Sequence, residues 1–428
     1  MLAPVDAEFS ERLVAAVRYC QQGSNYYRER LAEAGAEPED ITSTRALGQL
    51  PIMLTKQDEA DLQRSSVLGL GHPFGEHLCA PLEDVVSVAS TSGTTGDPTY
   101  YAFTSDDVAL TDEMWARAFR EAGLKPADSV LQGFGLSMFL AGVPLVRALE
   151  RFGARPVPVG AEVGSEKLLR IARHVRPVAI TCTPSYGLYL IEQANLTDLG
   201  IEHVICAGEP GAGIPEIAAK LSEGFGGATV TDILGGVHGV INVSCCARAG
   251  MHMLADDHCV QQLIDPDTGE HVEPTNGAIG VRLKTTLSWH AQPQLRASVG
   301  DVYELLTEPC ECGRTEPRAR VIGRTDDMLI IKGVKLYPAA VQGLVHEMRP
   351  ALTGYFRINL TTPGPRVEPP LRMEVEVAPS SPVDKTVAEL AARMHSRYSV
   401  TPQITSVEAG TLPRTSHKSK LVNLASEE

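Results

Sequence analysis

Apolar positions first recur at helical spacing near the amino terminus. Phe9, Leu13, Val17 and Cys20 lie three to four residues apart, and Tyr27 and Leu31 extend the series. Residues 8–47 therefore read as mostly helical, with breaks at Pro51 and across Pro73–Pro81. From about residue 85, short apolar runs alternate with helical patterns. Strands are predicted at 85–89, 129–134, 155–159, 178–182 and 203–207, and helices at 106–122, 142–152, 167–174 and 186–194. Such alternation points to α/β layers with much parallel sheet. Beyond residue 230 the texture changes. Turns such as Asp265-Pro266-Asp267-Thr268-Gly269 and Thr275-Asn276-Gly277 separate short strands, which suggests a β-rich subdomain. Gly323-Arg324-Thr325-Asp326-Asp327 reads as a linker. After it come a strand at 328–331, a helix at 339–348, strands near 354–360 and 371–377, and a helix at 383–396. The expected fold is α/β. A large N-terminal domain of layered sheets and helices, with the β-rich subdomain, spans 1–323, and a small α+β C-terminal domain spans 324–428.

Composition narrows the function classes. The formal net charge is −15 and no Lys/Arg run is present, so nucleic acid is not an expected partner. The first residues carry Asp6, Glu8 and Glu11 rather than a basic start and an apolar stretch, and no apolar run approaches a bilayer span. A cytoplasmic protein without a membrane partner is expected. In that compartment the nine cysteines should not form a disulfide framework. Cys20, Cys182 and Cys206 read as small buried apolar residues. Cys246, His252, Cys310 and Cys312 read differently, because a Cys₃His set is a standard structural zinc arrangement. Cys245, Cys259 and His258 are the alternative ligands. Four protein ligands leave no open position, so this Zn²⁺ would be structural.

One loop carries a chemical signature. Ser90-Thr91-Ser92-Gly93-Thr94-Thr95-Gly96-Asp97-Pro98-Thr99 follows a predicted strand. Glycines let backbone N–H groups approach an anion closely, and hydroxyl side chains add donors. The run is a candidate phosphate cradle, although the spacing of a Walker A loop is absent.

This loop resembles the phosphate-binding motif of the adenylate-forming acyl-coenzyme A synthetase superfamily, and within it the phenylacetate–coenzyme A ligase family. The resemblance covers nearly the whole chain. Leu50-Pro51-Ile52-Met53-Leu54-Thr55-Lys56 is similar to the family's entry segment, Thr183-Pro184-Ser185-Tyr186 to its mid-domain signature, and Ala207-Gly208-Glu209-Pro210 to its adenine-side turn. Residues 323–333 are similar to its hinge motif. The resemblance implies an N-terminal domain that binds ATP and acid, followed by a mobile C-terminal domain. Ser92, Gly93, Thr94, Thr95 and Gly96 would hold the β,γ-phosphates, and Gly208, Glu209, Pro210 and Asp232 would line the nucleotide. Asp301 would take the ribose hydroxyls, with Arg324 near ribose and phosphate. Asp326 would be the hinge, and Lys418 would reach the α-phosphate. Phe134, Phe139 and Gly208 occupy places similar to acyl-pocket residues. The Cys₃His set also matches a site carried by some members.

The chain departs from that pattern within the nucleotide pocket. The family's D-x-Y-G-x-x-E stretch, with an adenine-stacking aromatic residue and a Mg²⁺-binding glutamate, reads Asp232-Ile233-Leu234-Gly235-Gly236-Val237-His238 here. Imidazole is a poor Mg²⁺ ligand beside a carboxylate. Asp97 stands where the family commonly has lysine. His238 is therefore either a handicap to Mg²⁺ use or a recruited catalytic group, as a general base or as a ligand to a softer ion. The implied activity is ATP-dependent activation of a small aryl or alicyclic carboxylic acid as acyl-AMP, then transfer to coenzyme A. An amide ligase with an amine acceptor in a biosynthetic pathway and a non-catalytic binding relative are the alternatives. Association into a homodimer is left open.

Overall fold

The computed structural model describes residues 7–91, 98–414 and 421–424. Its amino-terminal helices, Ala7–Gly23, Asn25–Glu33 and Thr44–Gly48, follow the apolar spacing. Phe9, Leu13, Val17 and Cys20 face inward against Tyr27, Leu31 and Leu47. A further helix, Lys56–Gly69, carries no apolar stripe, because its buried face is Glu59, Gln63 and Ser66. What starts it is a reciprocal cap between Thr55 and Asp58, each side chain accepting from the other's backbone N–H.

A thirteen-stranded sheet organises residues up to Arg324. In one half, Arg155–Val157, Ser129–Gln132, Ala179–Cys182, His203–Ala207 and Thr229–Gly235 lie parallel in that order. Successive side chains alternate between faces. Leu131, Ile180 and Val204 enter one apolar cluster, and Val130, Ala179 and Ile205 enter the other, so both faces are covered by helices. At Thr229–Gly235 the sheet changes sense. Ile241–Ser244 pairs antiparallel with it, followed by Met251–Met253, Arg318–Arg324, Ala297–Leu306, Ile279–Thr286, Cys259–Ile264 and His271–Val272. The β-rich region is thus an extension of the same sheet.

From Leu329 onward a separate apolar core forms, including Leu344, Ile358, Val375 and Leu390. It is enclosed by a three-stranded and a four-stranded sheet with helices Pro338–Glu347 and Val383–Tyr398. Strands Pro402–Val407 and Val422–Leu424, which the periodicity did not indicate, complete the larger of these sheets. Among the described residues, no helix is long and apolar enough to cross a membrane.

Candidate active site

The Ser/Thr/Gly run lies in sequence between two paired strands. Ser87–Ser90 pairs antiparallel with Tyr100–Phe103. Thr91 N–H donates to the Thr99 carbonyl at 3.0 Å and Thr99 N–H to Thr91 Oγ1 at 3.1 Å, which close the hairpin's base. Ser92, Gly93, Thr94, Thr95, Gly96 and Asp97 lie outside the described residues, as does Lys418. Ser90 N–H donates to the Met138 carbonyl at 2.9 Å, which ties the hairpin to the expected acyl-pocket segment. In that segment Phe139 is half-buried, whereas Phe134 packs into the core with Trp115 and Leu145.

The expected adenine-side turn follows strand His203–Ala207. Gly208 sits at φ +92°, a conformation open to glycine at little cost. Glu209 Oε1 accepts from the Ser185 N–H at 2.8 Å and so supports the start of helix Pro184–Gln193. One strand further, Asp232 is buried. Burial pushes its carboxyl up to about 7, against a backbone hydrogen bond from Gly213 and the charge of Arg248.

The hinge motif and Asp301 meet because Asp301 and Arg324 are directly paired across antiparallel strands. Arg324 Nη1 donates to Asp301 Oδ1 at 2.9 Å, and Arg282 Nη2 donates to Asp301 Oδ2 at 2.7 Å. The carboxylate keeps lone pairs beyond these two bonds. Arg324 also forks onto Asp326, through Nε at 2.8 Å and Nη2 at 2.9 Å, while Lys56 Nζ reaches Asp326 at 3.0 Å. Lys56 belongs to the entry segment, so this contact joins the two segments across 270 residues of sequence.

His238 occupies a different setting from the one expected. It is 3% exposed, at φ +72°, with Tyr101 and Trp289 ring centroids 5.4 and 5.1 Å away, both edge-on. Lys284 Nζ lies 3.0 Å from His238 Nδ1. An ammonium has no acceptor, so Lys284 is the donor of this pair, and the Val237 carbonyl lies 3.4 Å from the same Nζ. Burial first, then Lys284, keeps the imidazole neutral by lowering its pKa well below the ordinary value. As placed, His238 is buried and meets Lys284. Lys284, Glu59 and Trp289 were not anticipated. A signal existed in the strand Ile279–Thr286, where Arg282 and Lys284 alternate with apolar residues on a stretch that is buried throughout after Ile279.

The cysteine cluster forms with one substitution. Cys245, His252, Cys310 and Cys312 place their ligand atoms within 4.8 Å of one another. Cys245 Sγ lies 3.6 Å from Cys310 Sγ, close to the edge of about 3.8 Å that Zn–S bonds of about 2.3 Å give a tetrahedron. Cys312 Sγ lies 3.3 Å from His252 Nε2, and His252 Nδ1 lies 3.0 Å from the Glu316 carbonyl, which takes its proton and leaves Nε2 free to ligate. Cys246 is exposed and outside the cluster, and Cys259 is buried in its strand. The expected ligand Cys246 is therefore replaced by Cys245.

Comparison with known proteins places this arrangement. Residues 333–423 match the profile of the AMP-binding enzyme C-terminal domain. Over 376 residues the chain is 33% identical to the phenylacetate-coenzyme A ligase of Thermus thermophilus, covering 85% of this chain and 80% of that one. This chain belongs to the phenylacetate–coenzyme A ligase family. Its fold superposes on 2-hydroxyisobutyryl-CoA ligase in the postadenylation state, in complex with R3-HIB-AMP, with TM-score 0.86 at 25% identity, covering 98% of this chain and 89% of that chain. Against the same ligase in complex with 2-HIB-AMP and CoA, in the thioesterification state, the TM-score is 0.69 at 26% identity with the same coverage. For Mg²⁺ the residues do not fit at the place the family gives it. A buried ammonium 3.0 Å from the imidazole repels a dication.

Proposed function

We propose that this chain is an ATP-dependent, AMP-forming acid–thiol ligase, with coenzyme A as acceptor of a small carboxylic acid. The observation that carries this reading is the Asp301–Arg324–Asp326–Lys56 constellation in a chain of the phenylacetate–coenzyme A ligase family. It joins the nucleotide-side strand, the hinge motif and the entry segment. Asp301 accepts the ribose hydroxyls with its remaining lone pairs, and Arg324 holds it in place. Gly208, Glu209, Pro210 and Asp232 border the adenine, and residues 92–96 hold the phosphates. Phe139 and Gly208 line the acyl pocket.

Attack of a carboxylate on an α-phosphate brings two anions together, so positive charge must be supplied in the transition state. Lys418 supplies it in the first half-reaction. The chain divides at 323/324, and the carboxy-terminal unit turns about Asp326 to admit the thiol in the second half-reaction. Closure protects the hydrolysable acyl-adenylate from water. The cysteine cluster holds one zinc ion through Cys245, His252, Cys310 and Cys312. With four protein ligands the metal is structural and takes no part in the reaction.

The test is a pyrophosphate-release screen over a panel of aryl and alicyclic acids, with coenzyme A and with amines. Release that depends on one acid, and thioester formation with coenzyme A, is the expected result. Release without any thioester, with an amide instead, selects the amide ligase. No release with any acid overturns the reading. Lys418→Ala should lower pyrophosphate release by about a hundredfold or more while sparing transfer from a supplied acyl-adenylate.

A further inference from the structure

Arg282 is a buried cation that the fold does not need. It is 4% exposed, and its Nη2 donates to Asp301 Oδ2 at 2.7 Å. Its Nε and Nη1 have no hydrogen-bond partner. Its guanidinium carbon lies 4.9 Å from the centroid of the Tyr303 ring, and the Tyr303 hydroxyl accepts from Asn242 Nδ2 at 3.3 Å. A buried ion pair with unmet donors is a poor source of stability, because desolvation offsets the Coulomb attraction. The neighbours of Arg282 in sequence, Val281 and Leu283, are apolar core residues. Strand pairing shows what the guanidinium faces. Val281 pairs with Val302 and Leu283 with Ser298, so Arg282 alone stands opposite the bulged stretch Val299-Gly300-Asp301. Gly300, at φ +86°, turns the backbone within that stretch. A bulge re-aims the side chains it carries, here that of Asp301.

We infer that Arg282 is a positioning residue for ribose recognition, acting through Asp301. The last torsion of an aspartate side chain is broad, so one donor does not fix the plane of its carboxylate. Two donors on different oxygens do. Arg324, on one neighbouring strand, donates to Oδ1 at 2.9 Å, and Arg282, on the other, donates to Oδ2 at 2.7 Å. Arg324 Nη2 also donates to the Val299 carbonyl at 2.8 Å, which holds the bulge itself. Each carboxylate oxygen then keeps a lone pair for a further donor. Two acceptors on one fixed carboxylate suit the adjacent hydroxyls of a ribose, which present two donors side by side. The cation–π contact with Tyr303 holds the guanidinium from behind, and Tyr303 lies two residues along the strand from Asp301, on the same face. This inference rests on the ligase reading for placing a ribose at Asp301.

The experiment is equilibrium binding of ATP and of 2′,3′-dideoxy-ATP to wild type, Arg282→Met and Arg282→Lys. Wild type should prefer ATP by about ten- to a hundredfold, because a site built to bond hydroxyls leaves its polar groups unpaired when they are missing. Arg282→Met should weaken ATP by about tenfold and leave the dideoxy nucleotide within about twofold of wild type, so the preference collapses. Arg282→Lys keeps the charge but not the planar fork, and its preference should fall between the two. A merely structural role would weaken both nucleotides alike, and that result would overturn the inference. So would an unchanged preference in Arg282→Met, or a wild type that does not prefer ATP. If Arg282→Met does not fold, Arg282→Lys decides: a reduced preference supports the assignment, and a wild-type preference overturns it. The ligase reading stands or falls separately, on acid-dependent pyrophosphate release by wild type.

Discussion

At the scale of single residues, burial decides more than identity. Asp232 is an acidic side chain, yet burial raises its carboxyl to about 7. Its unfolded value is about 3.9, so between these values the folded chain holds a proton that the unfolded chain releases. The stability this confers is complete below about pH 4 and is lost as pH rises through about 7. Asp232→Asn, which is neutral throughout, should therefore melt above wild type at about pH 8 and converge with it towards about pH 4, as thermal denaturation across pH would register. His238 makes the same point in another way. Replacing it by glutamate puts a carboxylate beside Lys284 and pairs the ammonium internally. His238→Glu should lower pyrophosphate release at every Mg²⁺ concentration, by about tenfold. A gain in activity that saturates with Mg²⁺ would instead mark the histidine as a lost metal ligand.

Among the elements, strand register chooses between neighbouring residues. Cys245 and Cys246 are adjacent, and successive side chains leaving a strand point to opposite sides. Strand Ile241–Ser244 pairs with Met251–Met253, with Ser244 opposite Met251, and the residue that follows reaches the cluster while the next faces solvent. Cys245→Ser should release the bound zinc and lower the melting temperature by several degrees, whereas Cys246→Ser should keep about one equivalent of metal. Elemental analysis of the dialysed variants, read beside their melting curves, checks both. The helix Lys56–Gly69 teaches the reverse lesson. The Thr55/Asp58 cap starts it, but apolar periodicity does not mark it, because the face it buries is polar and serves Tyr100, Tyr101 and Gln294.

For the whole molecule, polar side chains meet across the junction between the two units. Glu192, on helix Pro184–Gln193, accepts from the Tyr355 hydroxyl at 3.4 Å and lies 3.8 Å from Arg414 Nε. Arg414 is anchored in its own unit by two bonds to Glu376, of 2.7 and 2.9 Å, and directly precedes residues 415–420. A carboxylate on the large unit thereby docks the base of the segment that contains Lys418. Partly exposed ion pairs are individually weak, which suits the rotation proposed for this junction. Glu192→Gln should reduce adenylate formation about two- to fivefold and leave transfer from a supplied acyl-adenylate intact. Equal losses in both half-reactions would show that Glu192 supports the helix rather than the docked arrangement.

The sequence by itself determined the alternation of strands and helices, the change to a β-rich texture after residue 230, and the separate carboxy-terminal unit. Each of these depends on local periodicity and turn chemistry, which act over a few residues. It also carried the motifs that join Asp301, Arg324 and Asp326, because those residues lie in short contiguous runs. Only the tertiary structure decided that Cys245 rather than Cys246 enters the Cys/His cluster, that Phe134 is core, and that His238 meets Lys284 across 46 residues. The physical reason is common to all three. Which way a side chain faces, and which charge lies beside it, depends on strand register and on packing between distant segments, and no local pattern encodes either.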